Sequence, residues 1–529
     1  MKKTVLLYGT CLLLLTACRR QLAEYYNDPD LTTQPVIEQI FTKMLDNDRV
    51  RPSYWNVRTF LVMHPAIYTQ SVGYLNVPSV YQQNPNYTED YWNDFYLPEE
   101  GGGGVMVHFR TIQATYDEIK DATEKKAMEV FVRAASVVLL DQASQMVDLW
   151  GDIPFSEAGY INSGSNIINA KFDAAPEVYN SILDGLEKAS AYFATAGLSS
   201  STRARFSKQD IMLSGNLQQW RRYANSLRLR LLMRISFYDE ARAKSEVQAI
   251  LNNPAEYPLV DGSGVYAPAA TDILLQPLTT FTGNLYNAMT ELTNYSAPGY
   301  MLNSVMKPAG DPRIPVMFDK YGRTVNDIFI PNTDYNGMPA GMSAEQQQQT
   351  VGNYAIRDSA TFLFNIKLPG IVMTAAEINF LKAEAYERWG GGNAQEAYEK
   401  AVKQSVAFYY YLNSLNTITA TPLPLPAATV IDNFLQQEPA KYSGVSTDKL
   451  EKIWVQKWVH LDFLQSTQSW AEYRRTKYPQ LNFYGASLAG FELPPTRLVY
   501  PASETAYNPN YNTVKSKDLR NRRVFWDVK

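Results

Sequence analysis

Residues 383–402 have the sequence AEAYERWGGGNAQEAYEKAV, in which two apolar helical patterns flank three consecutive glycines. The pattern before the glycines spaces its apolar side chains three or four residues apart, which places them on one face of an α-helix. These side chains are Ile378, Leu381, Ala385 and Trp389. The chain can reverse at residues 390–392 because glycine carries no Cβ, and Asn393 can cap the helix that follows. The stretch therefore predicts a helical hairpin.

The second helix of this hairpin carries Ala397, Tyr398, Ala401 and Val402, and the whole segment resembles a tetratricopeptide helix–turn–helix unit. Apolar periodicity also predicts helices over 127–150, 177–194 and 217–238, and a further pair of helices around 450–473. These pairs do not recur at a fixed period of about 34 residues, so a plain solenoid is not predicted. We expect a mostly α-helical fold in which tetratricopeptide-like hairpins form a scaffold.

The helix at 217–238 carries five arginines: Arg221, Arg222, Arg228, Arg230 and Arg234. A basic patch for nucleic acid is one interpretation of this cluster. The whole chain has 49 Lys and Arg against 53 Asp and Glu, which gives a net charge of −4. The chain therefore lacks the excess of positive charge that binding to duplex nucleic acid requires. We therefore predict a solvated or salt-bridged helix face and no nucleic-acid partner.

Two long stretches without sustained helical periodicity interrupt the scaffold. The first covers about residues 64–104 and is crowded with Tyr and Trp; the second covers about 253–372 and holds 11 of the 29 prolines. Compact domains rarely keep loops of this length unless the loops are functional or have structure of their own. We expect irregular, aromatic-rich insertions displayed on the helical scaffold, where binding residues concentrate.

The amino terminus has the pattern of a sorting signal. Lys2 and Lys3 precede an apolar stretch from Val5 to Leu15, and the sequence LTAC ends at Cys18. This apolar stretch of eleven residues is too short for a membrane-spanning helix, which needs about 20. The order resembles a lipobox, which predicts residues 1–17 as a signal peptide, Cys18 as the lipid attachment residue and 18–529 as the mature domain. An ordinary secretory signal is the alternative.

Motifs for catalysis and cofactor binding are missing from the sequence. Both cysteines, Cys11 and Cys18, lie in the amino-terminal segment, and the histidines His64, His108 and His460 are too far apart for a local metal motif. The glycines at 101–104 lack the Gly-Lys-Ser/Thr sequence of a phosphate loop. We predict no catalytic residue, no metal site and no cofactor.

A family resemblance rests on several segments in order. Residues 147–158, VDLWGDIPFSEA, follow a long helix and resemble the hallmark of SusD/RagB-like nutrient-binding outer-membrane lipoproteins. Further segments agree with this family: 220–234, 311–313, 373–389, 456–458, 470–479 and 494–508. Residues 27–29 and 291–300 are most similar to the second SusD-like subgroup.

The resemblance implies a lipid-anchored protein of the outer membrane that faces the cell exterior. It implies that the protein captures an oligosaccharide or a peptide and delivers it to a SusC-like TonB-dependent transporter, without enzymatic activity. The shared motifs themselves are expected to be structural, and ligand contacts are expected in the two insertions.

Candidate ligand residues follow from the chemistry of sugars, whose C–H faces stack on aromatic rings and whose hydroxyls pair with amides or carboxylates. Tyrosines close to asparagines in the insertions meet this requirement: Tyr74, Asn76, Tyr81, Asn84 and Tyr87 in the first, and Tyr286, Asn294, Tyr295 and Tyr300 in the second. The alternative for each ring is packing in the core of its own loop. Trp92 and Tyr96, spaced i,i+4 near a predicted helix start, favour packing.

Two other functions account for parts of the sequence. The hairpin at 376–412 would suit a tetratricopeptide-type adaptor that binds only protein. Asp148 and Asp152 are a carboxylate pair of the kind that a surface glycoside hydrolase uses, although they flank a predicted helix stop. The residues do not choose between a glycan and a peptide ligand, because loops rich in tyrosine and asparagine suit both.

Overall fold

The computed structural model describes residues 35–50, 52, 55–97, 104–160, 169–277, 287–416, 421–485 and 488–529. The described chain is mostly α-helical, which confirms the predicted fold class. Its α-helices are α1 (Ile37–Leu45), α2 (Pro85–Tyr96), α3 (Val105–Glu118), α4 (Ala122–Trp150), α5 (Ala175–Thr195), α6 (Ser200–Gln209), α7 (Leu217–Arg234), α8 (Glu240–Asn252), α9 (Pro268–Thr271), α10 (Lys307–Ala309), α11 (Ile314–Met317), α12 (Ala344–Thr350), α13 (Ala375–Trp389), α14 (Ala394–Ser414), α15 (Ala428–Phe434), α16 (Ser446–Leu461), α17 (Ser466–Thr476) and α18 (Ala502–Tyr507).

Short strands and tight helical turns occupy the connections. The described strands pair antiparallel in twos: β1 (Ile153–Pro154) with β2 (Phe172–Asp173), β3 (Ile273–Leu275) with β8 (Gly370–Met373), β4 (Phe318–Asp319) with β7 (Ile356–Arg357), and β5 (Gly322–Val325) with β6 (Ile328–Pro331). The π-helices cover Asn56–Ala66, Tyr300–Met306 and Ser359–Leu363. The 3₁₀ turns cover Glu291–Asn294, Val351–Asn353, Pro509–Thr513 and Lys515–Lys517.

The predicted hairpin at 383–402 is formed by α13 and α14, which pack along each other. Gly390 and Gly391 adopt φ values of 74° and 88°, a region that side chains with a Cβ rarely enter. Asn393 caps α14, since its Oδ1 accepts the backbone N–H of Glu396 at 3.1 Å. The glycines therefore reverse the chain and Asn393 caps the second helix, as the sequence predicts.

The other helical patterns also correspond to helices. The pattern at 127–150 lies in α4, which begins earlier because Asp121 caps it through the N–H of Glu124 at 2.7 Å. The patterns at 177–194 and 450–473 lie in α5 and in the pair α16–α17. One difference concerns the first insertion, which contains the regular helix α2 with Pro85 at its first turn and Asn84 as its cap.

Helix α4 forms the centre of the scaffold. Among the described helices it alone has the length and apolar composition to cross a membrane, yet 78% of its most apolar window is buried inside the protein. Its packing against α3 and α5 accounts for that burial. We therefore assign α4 as a core helix.

Three of the five arginines of α7, Arg228, Arg230 and Arg234, form ion pairs, as the salt-bridge interpretation of this helix predicts. Arg230 contacts Glu377 at 2.6 Å, and Arg234 contacts Asp148 at 3.0 Å. Burial of these charges is tolerated because each guanidinium meets a carboxylate and further hydrogen-bond acceptors. The helix joins α4 to α13 in this way.

The motif at 147–158 also has a structural role. Asp148 accepts hydrogen bonds from Tyr179 and, at 2.8 Å, from the indole of Trp526. Trp150 is fully buried and donates to the carbonyl of Val499 at 3.1 Å. The carboxy-terminal segment is therefore fastened to the end of α4.

Candidate functional site

The two insertions meet at a short backbone bridge. The N–H of Gly73 donates to the carbonyl of Ser296 at 2.8 Å, which joins the first insertion to the second. A Cβ at residue 73 would lie only 2.9 Å from that carbonyl oxygen, so the approach requires glycine. The two insertions thus pack against each other at this bridge.

Asn76 reinforces this junction from the first insertion. Its side-chain Nδ2 donates to the carbonyls of Ala340 and Met342, both at 2.7 Å, and its backbone N–H donates to Oε1 of Gln347 at 2.7 Å. Gln347 in turn donates to the carbonyl of Tyr74 at 2.9 Å. With 2% of its surface exposed, Asn76 holds the two insertions together and does not face solvent.

Tyr74 and Tyr81 are also buried, with exposed fractions of 5% and 0%. Their hydroxyls lie 3.2 Å apart, and the ring of Tyr81 packs edge-on against Phe483. Burial raises the pKa of both phenols, so they stay neutral hydrogen-bonding groups. These rings pack inside the protein, which is the alternative to ligand contact given above, and their burial argues against direct contact with a ligand.

Asn84 and Tyr87 lie at the start of α2. Asn84 Oδ1 accepts the N–H of Tyr87 at 3.3 Å, which makes Asn84 the helix cap. Its backbone N–H donates to Nε2 of His64 at 3.1 Å, and burial lowers the pKa of His64 to about 4, so the imidazole is neutral and can accept. Tyr87 is half-buried and keeps part of its ring accessible.

The second insertion places its candidates closer to solvent. Asn294 is exposed at the end of a 3₁₀ turn, and Tyr295 and Tyr300 are half-buried. The Tyr300 ring centre lies 6.1 Å from that of Trp458, so the scaffold supports this ring from behind. Tyr286 lies outside the described residues.

The structure adds an aromatic pair that the sequence analysis missed. Tyr321 directly precedes β5 and Phe329 lies in β6 of the hairpin β5–β6, with ring centres 5.9 Å apart and planes at 64°. Their exposed fractions are 50% and 53%, which is high for large rings. The signal in the sequence is Asn326-Asp327, whose positive φ values of 50° and 61° suit a tight two-residue hairpin turn.

The aromatic hairpin is fixed to the rest of the second insertion. The N–H of Asn332 donates to the carbonyl of Tyr321 at 2.7 Å, and its side chain donates to the carbonyl of Gly352 at 3.1 Å. Gly352 follows α12, the helix that carries Gln347. A continuous set of contacts therefore links the exposed rings to the junction at Asn76.

The carboxylate pair considered for hydrolysis has structural partners. Asp148 holds Arg234 and Trp526, whereas Asp152 pairs with Lys517 at 2.7 Å and accepts the N–H of Ala175 at 2.8 Å. These contacts explain both carboxylates without catalysis. Within the described ranges no cluster of three or more His, Cys, Asp and Glu side chains could hold a metal ion.

Solved structures similar to this chain share its fold. A chitin-binding protein aligns with a TM-score of 0.71 and 22% identity, over 93% of this chain and 99% of that chain. A chitin-binding SusD homologue from Flavobacterium johnsoniae aligns at 0.65 and 24% identity, with the same coverage. A SusD homologue from Bacteroides fragilis aligns at 0.69 and 20% identity, again over 93% and 99%.

Sequence comparison identifies the family more directly than these distant structures. No curated protein matches the chain. The second SusD-like family, described as starch-binding and associating with the outer membrane, matches residues 27–501. Since this match spans most of the 529 residues, the chain belongs to the second SusD-like family.

Proposed function

We propose that this protein captures an oligosaccharide at the outer membrane and delivers it to a SusC-like TonB-dependent transporter. The family description names starch binding and the outer membrane, and two of the similar structures are named as chitin-binding. Starch and chitin are both polymers of pyranose sugars. These names favour a glycan over the peptide that the sequence left open.

The observation that carries the proposal is the exposed aromatic pair Tyr321 and Phe329 on an anchored hairpin. Two rings at a wide angle offer stacking faces to neighbouring sugar units. Asn294, Tyr295 and Tyr300 in the same insertion offer an amide and two phenols for sugar hydroxyls. Tyr87 is the half-buried tyrosine among the candidates of the first insertion.

The buried members of the candidate set serve the site indirectly. Asn76 and Gln347 fix the two insertions relative to each other through four hydrogen bonds. A surface that is already ordered loses less conformational entropy when ligand binds. Asn76 and Gln347 are therefore positioning residues in this proposal.

The anchor and the transport step complete the proposed function. Cys18, which lies outside the described residues, would carry the lipid and place the protein at the outer surface. The protein would bind and release its glycan intact, and the carboxylates Asp148 and Asp152 are held by structural partners. The importer barrel would then receive the ligand.

Calorimetry on the mature protein carrying Cys18→Ser tests glycan capture, with maltoheptaose, chitohexaose and a mixture of short peptides as ligands. We expect one of the glycans to bind and to be recovered uncleaved. Phe329→Ala and Tyr321→Ala should each weaken that binding about tenfold, since stacking on one ring contributes on the order of 1 kcal/mol or more. Tyr507→Ala is the matched control, because Tyr507 is 81% exposed and lies outside both insertions.

Two results would count against the proposal: cleavage of the bound glycan, or equal affinity for wild type and both hairpin variants. The delivery step needs a separate measurement. Purification of the lipidated protein from outer membranes should recover a TonB-dependent barrel in equal amount, and its absence would remove that step while leaving glycan capture intact.

A further inference from the structure

A pocket with a volume of about 170 Å³ lies at the carboxy-terminal end of α8, between α7, α13 and the loop at 254–263. None of the candidate glycan residues lines this pocket. An engineered cavity of about 150 Å³ in another protein is large enough to hold benzene. The pocket can therefore hold a ligand that contains one six-membered ring.

Arg222 is an arginine of α7 that the salt bridges of this helix do not involve. Three other arginines of the helix form ion pairs, and Arg221 donates to the carbonyl of Glu256 at 2.5 Å. Within the described part of the chain, the guanidinium of Arg222 contacts no carboxylate and no other hydrogen-bond acceptor, although it is half-buried and lines the pocket. A guanidinium presents a planar fork of donors that matches the two oxygens of a carboxylate.

The other charges of the lining form an ion pair. Lys382 Nζ lies 2.8 Å from Asp261 Oδ2. Asp261 also acts on Lys400, because burial lowers the pKa of this lysine and the charge of Asp261 opposes that shift. Two ammonium groups thus offset the charge of Asp261, and Glu256, whose charge acts on Tyr257, is exposed and does not line the pocket. The charged side chains of the lining leave one positive charge, which matches a monoanion.

The apolar part of the lining is held in place before any ligand binds. It consists of Ile250, Leu251, Pro254, Tyr257, Pro258 and Leu259. The side chain of Asn225 donates to the carbonyl of Pro258 at 3.1 Å, and Ser226 Oγ accepts the N–H of Val260 at 2.8 Å. These bonds fix the loop to α7, so binding costs little conformational entropy.

We propose that this pocket binds a small organic monocarboxylate with an apolar ring, of the size of benzoate. The carboxylate of the ligand pairs with the guanidinium of Arg222. The ring lies against Tyr257 and Leu251, where it removes apolar surface from water. This inference is independent of the proposed glycan function.

Other ligand classes match the pocket less well. A phosphate or sulfate ion with two negative charges exceeds the single positive charge of the lining and leaves its apolar surface uncovered. A neutral sugar leaves the guanidinium of Arg222 without a partner and places hydroxyls against apolar side chains. An organic cation is repelled by the same guanidinium.

NMR titrations that observe the ligand test the proposal on the mature protein carrying Cys18→Ser, with benzoate, benzamide and glucuronate as ligands. Benzamide has the shape of benzoate without its charge, whereas glucuronate carries its carboxylate on a hydroxylated ring. We expect benzoate to bind with a dissociation constant on the order of 1 mM and the other two to bind at least about tenfold more weakly. Inorganic phosphate at the same concentration should not displace benzoate.

Arg222→Gln should lower the affinity for benzoate about tenfold, to the level of benzamide, and leave benzamide binding unchanged. Because Arg222 has no partner in the described chain, the substitution should also leave the melting temperature unchanged, so a loss of binding would not reflect unfolding. Tyr257→Ala should instead weaken the binding of benzoate and benzamide alike. Arg203→Gln, which changes an exposed arginine of α6, is the matched control and should bind benzoate as the wild type does.

Phe329→Ala should leave benzoate binding unchanged, because this ring belongs to the hairpin β5–β6. Loss of benzoate binding in this variant would place the ligand at the hairpin and overturn the proposal. The same conclusion would follow from no binding of benzoate at about 10 mM or from equal affinities in the wild type and Arg222→Gln. Tighter binding of glucuronate or phosphate than of benzoate would also overturn it.

Discussion

Arg357 and Asp462 form a two-pronged ion pair in which both side chains are fully buried and both N–O distances are 2.7 Å. Arg357 belongs to β7 in the second insertion, whereas Asp462 directly follows α16 of the scaffold. The same guanidinium also donates to the carbonyl of Ser71 in the first insertion. One side chain thus joins both insertions to the helical body.

Arg357→Ala should lower the free energy of unfolding by about 3–5 kcal/mol, because Asp462 would be left as an unpaired buried charge. Urea denaturation followed by circular dichroism measures the change. Arg133→Ala is the control, since Arg133 pairs with Glu129 at the surface and should contribute less than about 1 kcal/mol. Similar small losses in both variants would show that the buried pair does not hold the insertions.

Gly73→Ala should disrupt the junction between the insertions, because the new Cβ would lie 2.9 Å from the carbonyl oxygen of Ser296. We expect a loss of about 1–3 kcal/mol in the free energy of unfolding and weaker glycan binding. Gly341→Ala is the matched change in the second insertion, where nothing lies within 4 Å of the added Cβ. Unchanged stability in Gly73→Ala would mean that the bridge can shift without cost.

Tyr81→Phe and Phe329→Ala should have opposite consequences. Tyr81 is buried and its hydroxyl lies 3.2 Å from that of Tyr74, so its loss should cost about 1 kcal/mol of stability with little change in glycan affinity. Phe329 is exposed, so its truncation should weaken glycan binding and leave the melting temperature nearly unchanged. Calorimetry measures the glycan affinity of both variants, and thermal denaturation measures their stability. A loss of glycan affinity in Tyr81→Phe but not in Phe329→Ala would contradict the structural role of Tyr81 and the binding role of Phe329.

Asp272 should make stability depend on pH. Burial raises its pKa from 3.8 to about 7, opposed by hydrogen bonds from the Ala375 N–H and the Tyr266 hydroxyl. A carboxyl whose pKa is higher in the folded state stabilises the fold below pH 4, and this contribution is lost as the pH rises through about 7.

Asp272→Asn should therefore flatten the decline of stability between about pH 4 and pH 7, the unfolded and folded pKa values of this carboxyl, because the amide does not ionise. The side-chain oxygen can still accept the N–H of Ala375, which lies 2.9 Å away. Chemical denaturation of both proteins across this range measures the difference. Parallel pH profiles for the two proteins would exclude Asp272 as the source.

The helices could be predicted from the sequence because the residues that start, stabilise and end each helix lie close together in the chain. The apolar spacing of α13, the glycines at 390–392 and the cap at Asn393 all act within a few residues of one another. The same holds for the arginines of α7, whose pairing was expected although their carboxylate partners were not. The signal peptide and the lipid at Cys18 stay predictions.

The binding surface was predictable only in part. The sequence placed candidate residues in the two insertions, yet Tyr74, Asn76 and Tyr81 are buried and the exposed rings Tyr321 and Phe329 were missed. All of these rings lie in stretches of similar composition. Composition identifies a tyrosine-rich loop without showing which ring faces water.

The amino-acid sequence alone establishes the helical scaffold, the position of the insertions and the family resemblance. The tertiary structure decides which side chains of the insertions are exposed, because exposure depends on contacts between distant parts of the chain. A hydrogen bond joins the backbone N–H of Asn76 to Gln347, 271 positions away, and an ion pair joins Arg357 to Asp462, 105 positions away. Long-range packing of this kind leaves no periodic signal in the local sequence, so only the folded chain separates ligand-facing rings from structural ones.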